Sequence, residues 1–276
     1  MPVIHAIVLG IVQGATEFLP VSSSGHLVLV PWLLGWNELA RDPGLNKTFD
    51  VALHIGTFAG AAAYFRADLV RYARAGLRAL GRRPAGPDAR MAWLLAVSAV
   101  PAAVVGGLFG GAVEERLGQP WLVGSMLVVF GLVLFVADRL PGRRDAMTFG
   151  LRDAVVMGTA QALALQPGVS RSGVTISAAR WLDFERDAAA RLSFLMSLPV
   201  IAGAGLYKAV EVVGGQGIPR EVVPAFVWGT LVSALTGFVA VWGLLRLVRT
   251  GSFFPFVAYR VIAGLAVVAV VASHLR

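Results

Sequence analysis

Two short polar stretches lie within otherwise apolar parts of the chain. The first, TEFLPVSSSGH (16–26), holds a carboxylate, three serines and a histidine: Glu17, Ser22, Ser23, Ser24 and His26. The second, QPGVSRSGVT (166–175), holds hydroxyls and one guanidinium: Ser170, Arg171, Ser172 and Thr175. A carboxylate able to hold a divalent cation, a hydroxyl nucleophile, a histidine and an arginine are the groups that phosphoryl transfer uses.

The helix before the first stretch carries an amide and a carboxylate. Gln13 and Glu17 are four residues apart, so they share one face of a helix. A charge held at membrane depth costs about 3 kcal/mol or more. Glu17 is therefore interpreted as a functional residue, with snorkelling to an interface as the alternative.

Each polar stretch precedes the start of a new helix. In PVSSSGH, backbone N–H groups up to Gly25 and the serine hydroxyls form a cradle for an anion. His26 is an acid, base or nucleophile beside them, or a hydrogen-bonded structural histidine. In SRSGVT, Arg171 and Thr175 share a face next to Gly173, which suits a phosphate group. His54, one turn after Asp50, either serves the same site or is a packing residue.

Composition places these residues in a membrane. Hydrophobic residues make up 57% of the chain and charged residues 14%, with a mean hydropathy of +0.73. Soluble domains have roughly a quarter charged residues. The long apolar runs indicate helices rather than a barrel. The net charge of +8 does not indicate nucleic-acid binding, because the arginines cluster in short loops. The chain has no cysteine, which excludes disulfides and thiolate metal sites.

Hydropathy predicts two re-entrant segments and six spans. The re-entrant segments are 3–36 and 151–182, each with halves too short to cross about 30 Å. The predicted spans are 49–65, 91–110, 120–137, 192–213, 223–245 and 254–274. The basic loops 66–90 and 138–147 should be cytoplasmic. Both termini, a loop with Glu114 and Glu115, and loop 214–222 should then lie outside.

An internal repeat relates the two polar stretches. At an offset of 148, GIVQGATEFLPVSSSG (10–25) matches GTAQALALQPGVSRSG (158–173) at five Gly, Gln and Ser positions. Three spans follow each re-entrant segment, so the second copy must be inverted. We therefore predict one integral membrane domain, 1–276, of two inverted-topology repeats, about 1–140 and about 148–276. The re-entrant hairpins enter from opposite faces, and their tips (20–26 and 167–175) meet near the midplane.

The motifs QGATEFLPVSSSGH and PGVSRSGVT resemble the two signature stretches of the undecaprenyl-diphosphate phosphatase family of the bacitracin-resistance type. The resemblance extends to FDVALHIGT, SAVPAAVVG and FFPFVAYRVIAG, and so covers essentially the whole chain. It implies a homodimer in the bacterial plasma membrane. It also implies hydrolysis of a polyprenyl diphosphate lipid, undecaprenyl diphosphate, with Mg²⁺ or Ca²⁺, which recycles the carrier for cell-wall synthesis.

The resemblance also implies roles for single residues. Glu17 would bind the metal or activate the nucleophile, which is Ser23, with Ser22 second. His26 would be the acid/base partner or the attacking group. Residues of both tips would bind the substrate: Ser22, Ser24, Gly25, Ser170, Arg171, Ser172, Gly173 and Thr175. Gln13 stands where relatives have Glu or Gln, and as an amide it orients the metal or its water. A phosphoserine intermediate and direct attack by a metal-activated water are both open.

Two other classes of protein share parts of this pattern. Phosphatidic-acid phosphatases have similar isolated pieces, but they need a second histidine soon after Ser-Arg. Here no histidine follows Arg171 until His274. A transporter of a lipid phosphate or anion would also have inverted repeats with broken helices at the midplane. A carrier needs ligands for the anion but no nucleophile.

Overall fold

The structure, a computed structural model, describes residues 1–36, 42–81, 86–214 and 217–273. The side chains of 109–116 and 212–214 lie outside the described part as well. In chain order its α-helices are α1 (Val3–Phe18), α2 (Ser23–Leu34), α3 (Pro43–Tyr64), α4 (Arg66–Leu80), α5 (Pro87–Leu117), α6 (Pro120–Asp138), α7 (Leu151–Leu163), α8 (Arg171–Trp181), α9 (Arg186–Gly214), α10 (Val223–Leu247) and α11 (Phe254–Ala272).

Five of the described helices are long and apolar enough to cross a membrane. These stretches are Pro87–Leu108, Pro120–Asp138, Arg186–Glu211, Arg220–Leu247 and Phe254–Ala272. They correspond to five of the six predicted spans, and the prediction of an all-α polytopic membrane protein is confirmed. The sixth predicted span, 49–65, lies in α3, which has 22 residues. Polar residues in α3, among them Lys47, Asp50 and His54, lower its mean hydropathy, so α3 is not one of the five apolar stretches.

Two of the predicted loops are wrong. Much of the basic loop 66–90 is helical, because α4 occupies Arg66–Leu80 and α5 begins at Pro87. Residues 82–85 lie outside the described part. Leucine, alanine and arginine all favour a helix, and the loop was predicted from charge alone. The backbone of α5 also continues to Leu117, through the loop predicted around Glu114 and Glu115.

The two re-entrant segments break at equivalent places. Helix α2 begins at Ser23 after the N-cap Ser22, and α8 begins at Arg171 after the N-cap Ser170. The difference 171 − 23 is the repeat offset of 148. Helices α1 and α2 have 16 and 12 residues, so neither alone crosses the hydrocarbon core at 1.5 Å per residue. The predicted short–polar–short pattern is confirmed in both copies.

Each hairpin packs against a helix of the other repeat. Helix α1 packs along α10, and α7 packs along α5. A Cβ atom added at Gly10 would lie 2.5 Å from the carbonyl oxygen of Gly229, and one at Gly158 would lie 2.5 Å from that of Ser98. Glycine is needed at both positions because the backbones approach so closely. Helices α6 and α11 also pack together, through Gly124 and Gly264. The repeats are therefore interlocked, and this places the two tips side by side.

Ion pairs join the helix ends at one end of the molecule, which we call the arginine-rich end. It contains Arg139, Arg144, Arg186, Arg191, Arg246 and Arg249. Arg144 contacts Asp153 at 2.6 Å, and Arg186 contacts Asp138 at 2.5 Å. The hydrogen bonds that Arg144 donates to the Asp153 carboxylate raise the pKa of Arg144 above its ordinary value. These contacts fix the connections that enter α7 and α9.

Candidate active site

The two tips cap their own helices and bond to each other. Ser22 and Ser170 have positive φ angles of 76° and 72°, and the Oγ atom of each accepts the N–H three residues on, at 3.3 and 3.1 Å. Ser22 Oγ also accepts the N–H of Gly168 at 3.1 Å. Ser172 Oγ donates to the carbonyl of Leu19 at 3.0 Å. The predicted meeting of the tips is thus confirmed.

A buried arginine from α11 holds both tips from behind. Arg260 is 0% exposed. Its guanidinium donates to the carbonyl of Pro20 in the first tip at 3.1 Å. It also donates to the carbonyls of Gly168 and Val169 in the second tip, at 2.9 and 3.0 Å. Buried carbonyls need donors, and one side chain satisfies carbonyls from both tips.

The carboxylate of Glu17 is the centre of the polar cluster. Ser23 Oγ donates to Glu17 Oε2 at 2.5 Å, and Gln13 Nε2 donates to the same oxygen at 2.8 Å. Arg171 forms an ion pair with the other oxygen, Oε1. Glu17 is 5% exposed, and a charge buried to this degree requires a charged partner. The structure brings together the predicted catalytic residues Glu17, Ser23 and Arg171.

The two histidines occupy different surroundings. His26 Nδ1 lies 2.7 Å from the carbonyl oxygen of Ser22 and must donate to it, so in the neutral ring Nε2 accepts from the hydroxyl of Tyr259 at 2.6 Å. Both nitrogens of His26 are engaged, neither of them with Ser23. His54 Nδ1 lies 2.7 Å from the carbonyl oxygen of Asp50, and Nε2 lies 3.5 Å from Glu17 Oε2. His54 is therefore the histidine that contacts the carboxylate.

The sequence matches a known protein family along nearly its whole length. The profile of the family described as "Bacitracin resistance protein BacA" matches residues 6–266. The chain belongs to the BacA family. It is 48% identical to an undecaprenyl-diphosphatase of Pelobacter propionicus, over 100% of this chain and 99% of the relative. It is 46% identical to one from Geobacter sulfurreducens, over 98% of each chain, and 42% identical to one from a Nocardioides species, over 98% and 97%.

Other predicted binding residues in this BacA-family chain have structural partners. Thr175 is fully buried, and its hydroxyl bonds Ser193 Oγ at 2.6 Å and the carbonyl of Arg171 at 2.8 Å. The hydroxyls of Ser22, Ser170 and Ser172 join or cap the tips, and the N–H groups of Gly25 and Gly173 are the groups capped. Ser24 is half-buried beside them. These residues shape the tips of the BacA-family site, whereas Ser23 and Arg171 are the side chains that face Glu17.

The amide of Gln13 leaves one oxygen free next to Glu17. Gln13 Oε1 is buried without a hydrogen-bond partner. Mg²⁺ and Ca²⁺ take oxygen ligands, and Mg²⁺ often uses one or two protein groups plus substrate phosphates. In the described part of the chain no group of three or more His, Asp or Glu side chains is placed to hold a metal. The oxygens of Gln13 and Glu17 therefore fit as two ligands for a divalent cation, and the other ligands would have to come from the substrate and water.

Two functional candidates were missed or left undecided by sequence reasoning. Arg260 was noted only as part of the matching stretch FFPFVAYRVIAG. The signal that could have revealed it was a lone arginine in the middle of an apolar span. For His54 the spacing from Asp50 allowed two interpretations, and only the packing of α3 against α1 places the ring beside Glu17.

Proposed function

We propose that this chain hydrolyses undecaprenyl diphosphate to undecaprenyl phosphate and inorganic phosphate. The curated relatives are named undecaprenyl-diphosphatase, and they match along the full chain. The product would be the lipid carrier for a new round of cell-wall synthesis. The bacterial plasma membrane is the proposed location, with the arginine-rich end cytoplasmic, both termini outside and substrate reaching the site from the outer face. A homodimer is part of the proposal.

The contact that carries the proposal is the 2.5 Å hydrogen bond from Ser23 Oγ to Glu17 Oε2. A hydroxyl that donates to a carboxylate can pass its proton to it as the oxygen attacks. Arg171 pairs with the other oxygen of the same carboxylate, so a guanidinium lies close to the Ser23 hydroxyl. A guanidinium binds phosphate oxygens through paired N–H donors. The cluster thus joins a nucleophile, a base and an anion-binding group.

The reaction then proceeds in two displacements at the terminal phosphorus. Ser23 Oγ forms a bond to this phosphorus and Glu17 takes the hydroxyl proton. The bridging P–O bond breaks, and undecaprenyl phosphate leaves with the electron pair. A water oxygen then bonds to the phosphorus of the phosphoserine as the bond from Ser23 Oγ to phosphorus breaks. Ser23 takes back the proton held by Glu17, Glu17 accepts one proton from the water and releases it to solvent, and inorganic phosphate leaves with the other. Arg171 binds the phosphoryl oxygens in both steps. A divalent cation, Mg²⁺ or Ca²⁺, held by Gln13 and Glu17, would neutralise charge on the diphosphate.

Phosphate release by the purified protein tests the proposal. Glu17→Ala, Ser23→Ala and Arg171→Ala should each lower the rate by about 10²-fold or more. Matched controls are Ser125→Ala and Arg139→Ala, since Ser125 bonds only within its own helix and Arg139 stacks on Phe135 at the arginine-rich end. Both controls should keep the parent rate.

Three different results would contradict the proposal, and each points to a different error in it. Normal hydrolysis by folded Glu17→Ala and Arg171→Ala variants would remove the assigned site. Loss of the rate in Ser23→Ala without acid-stable phosphoserine in rapidly quenched parent protein would favour direct attack by water. A folded parent protein that releases no phosphate with metal present would favour a carrier of a lipid phosphate, which needs no nucleophile.

A further inference from the structure

Helix α4 has one face that packs against the protein. Tyr72 and Gly76 are buried, and Leu69 is half-buried in the core next to α5. Asp68 forms an ion pair with Arg191 of α9. This contact places α4 at the arginine-rich end of the molecule, where the positive-inside rule puts the cytoplasm. Phe65 is both the C-cap of α3 and the N-cap of α4, so the chain turns into α4 as it leaves α3.

The next face of α4 is apolar and exposed. Val70, Leu77 and Leu80 are 47, 69 and 65% exposed, and Ala73 is exposed between them. The spacing of 70, 73, 77 and 80 puts all four on one side of a helix. An apolar stripe of this kind is not stable in water, so it needs an apolar partner.

The face beyond the apolar stripe is basic. Arg71, Arg74 and Arg78 follow one another at helical spacing. Arg71 is paired with Asp68 and Asp88. Arg74 and Arg78 are exposed and, in the part of the chain that the structure describes, have no acidic partner. Two unpaired guanidinium groups thus border the exposed apolar stripe, with stems long enough to reach over it.

Helix α4 is also an addition to the repeat. The two hairpins and the helices after them have counterparts in both copies, but α9 and α10 are separated only by residues 215–222. The second copy has no room for a helix like α4. The pseudo-symmetric packing therefore does not require α4, and another interaction must account for its exposed faces.

We propose that α4 lies in the cytoplasmic membrane interface and binds the headgroups of anionic phospholipids through Arg74 and Arg78. An apolar stripe beside a basic stripe matches acyl chains below and phosphates above. An anionic leaflet attracts each basic residue near its surface. The partner is the lipid surface rather than another protein, because this end of the chain already lies at a bilayer. The inference goes beyond the proposed function and does not depend on hydrolysis.

The absence of cysteine allows a local test in the full-length protein. A nitroxide on Leu77→Cys, in the apolar stripe, should relax readily with oxygen and poorly with a water-soluble nickel complex in reconstituted vesicles. The matched label on Ala67→Cys, exposed on the basic side, should show the opposite ranking. A Leu77→Cys label open to the nickel complex would overturn the proposal and favour a protein partner for this face.

Lipid selectivity is tested at the same position. A fluorophore on Leu77→Cys is quenched by headgroup-nitroxide phosphatidylglycerol or phosphatidylcholine at equal content. The anionic lipid should quench several-fold more effectively at low salt. Each arginine near an anionic surface strengthens binding by about fivefold. The double substitution Arg74→Gln with Arg78→Gln should therefore remove most of the preference for the anionic lipid.

The control pair is Arg246→Gln with Arg249→Gln, which removes two charges from another part of the arginine-rich end. It should leave the preference at Leu77→Cys intact. Equal quenching by both lipids in the otherwise unchanged protein would contradict the proposal. So would a preference that survives the Arg74 and Arg78 substitutions. Phosphate release is measured in parallel, and its failure in all proteins would affect only the proposed function.

Discussion

Ser23 and Arg171 stand at equivalent positions of the two repeats, and they contact opposite oxygens of one carboxylate. Ser23 bonds Glu17 Oε2 and Arg171 bonds Glu17 Oε1. The position equivalent to Glu17 itself is Leu165, since 17 + 148 = 165. The two tips begin their helices at equivalent positions, after the N-caps Ser22 and Ser170, but they carry different chemical groups. One copy supplies the hydroxyl of Ser23 and the carboxylate of Glu17, and the other supplies the guanidinium of Arg171.

The two histidines should respond differently to substitution. His54 lies 3.5 Å from Glu17 Oε2, so His54→Ala should lower phosphate release by about tenfold to 10²-fold. His26 is bonded to Ser22 and Tyr259. His26→Ala should therefore lower both the thermal stability and the rate of phosphate release. Tyr259→Phe, which removes only one of the two bonds, should lower both by a smaller amount. An unchanged rate of phosphate release in His54→Ala would show that His54 does not belong to the site.

Gln13→Glu should strengthen the response to a divalent cation. The orphaned Oε1 of Gln13 already faces a buried position beside Glu17, and a second carboxylate adds charge to an oxygen-ligand site. We expect half-maximal phosphate release at roughly tenfold lower Mg²⁺ or Ca²⁺ in a titration after chelator treatment. Gln161→Glu, the matched change in the other repeat, should not shift this midpoint. An identical midpoint in both variants and the parent would argue against Gln13 as a ligand.

Arg260→Met should separate the tips. It leaves buried carbonyls of Pro20, Gly168 and Val169 without their donor, and each unsatisfied group costs about 1–3 kcal/mol. Thermal unfolding in detergent should fall well below that of the parent protein. Arg260→Lys keeps the charge, but its three donors lie on one nitrogen, whereas Arg260 bonds the two tips through separate nitrogens, Nη1 and Nη2. It should therefore recover only part of the loss. A fully stable Arg260→Met protein would contradict this account.

The glycine contact between the repeats predicts a steric effect on stability. Gly10→Ala would place a methyl group 2.5 Å from the backbone oxygen of Gly229, which overpacks the α1–α10 contact by about 1–3 kcal/mol. The control is Gly243→Ala. Gly243 lies in α10, as Gly229 does, but a Cβ atom added there would have no neighbouring atom within 4 Å. Unfolding midpoints should drop for the first variant and stay close to the parent for the second.

The sequence by itself determined the class of the protein and most of its helices. Hydropathy identifies segments that leave water, because each apolar run reports its own transfer free energy. The repeat and the Ser-cap motifs located the tips, because capping depends on a few adjacent residues. Helix α4 was missed because a basic amphipathic helix and a basic loop have the same charge.

Only the tertiary structure decided which polar groups meet. Glu17 and Arg171 are 154 residues apart, and Arg260 reaches Pro20 across 240. It also placed His54 rather than His26 beside Glu17, and it bonded the Thr175 hydroxyl to Ser193. Such contacts depend on how two interlocked repeats position their helices along and around one another. That positioning is set by close backbone approaches, such as Gly10 on Gly229. Small residues at helical spacing permit a close approach, but they do not specify which helix makes it.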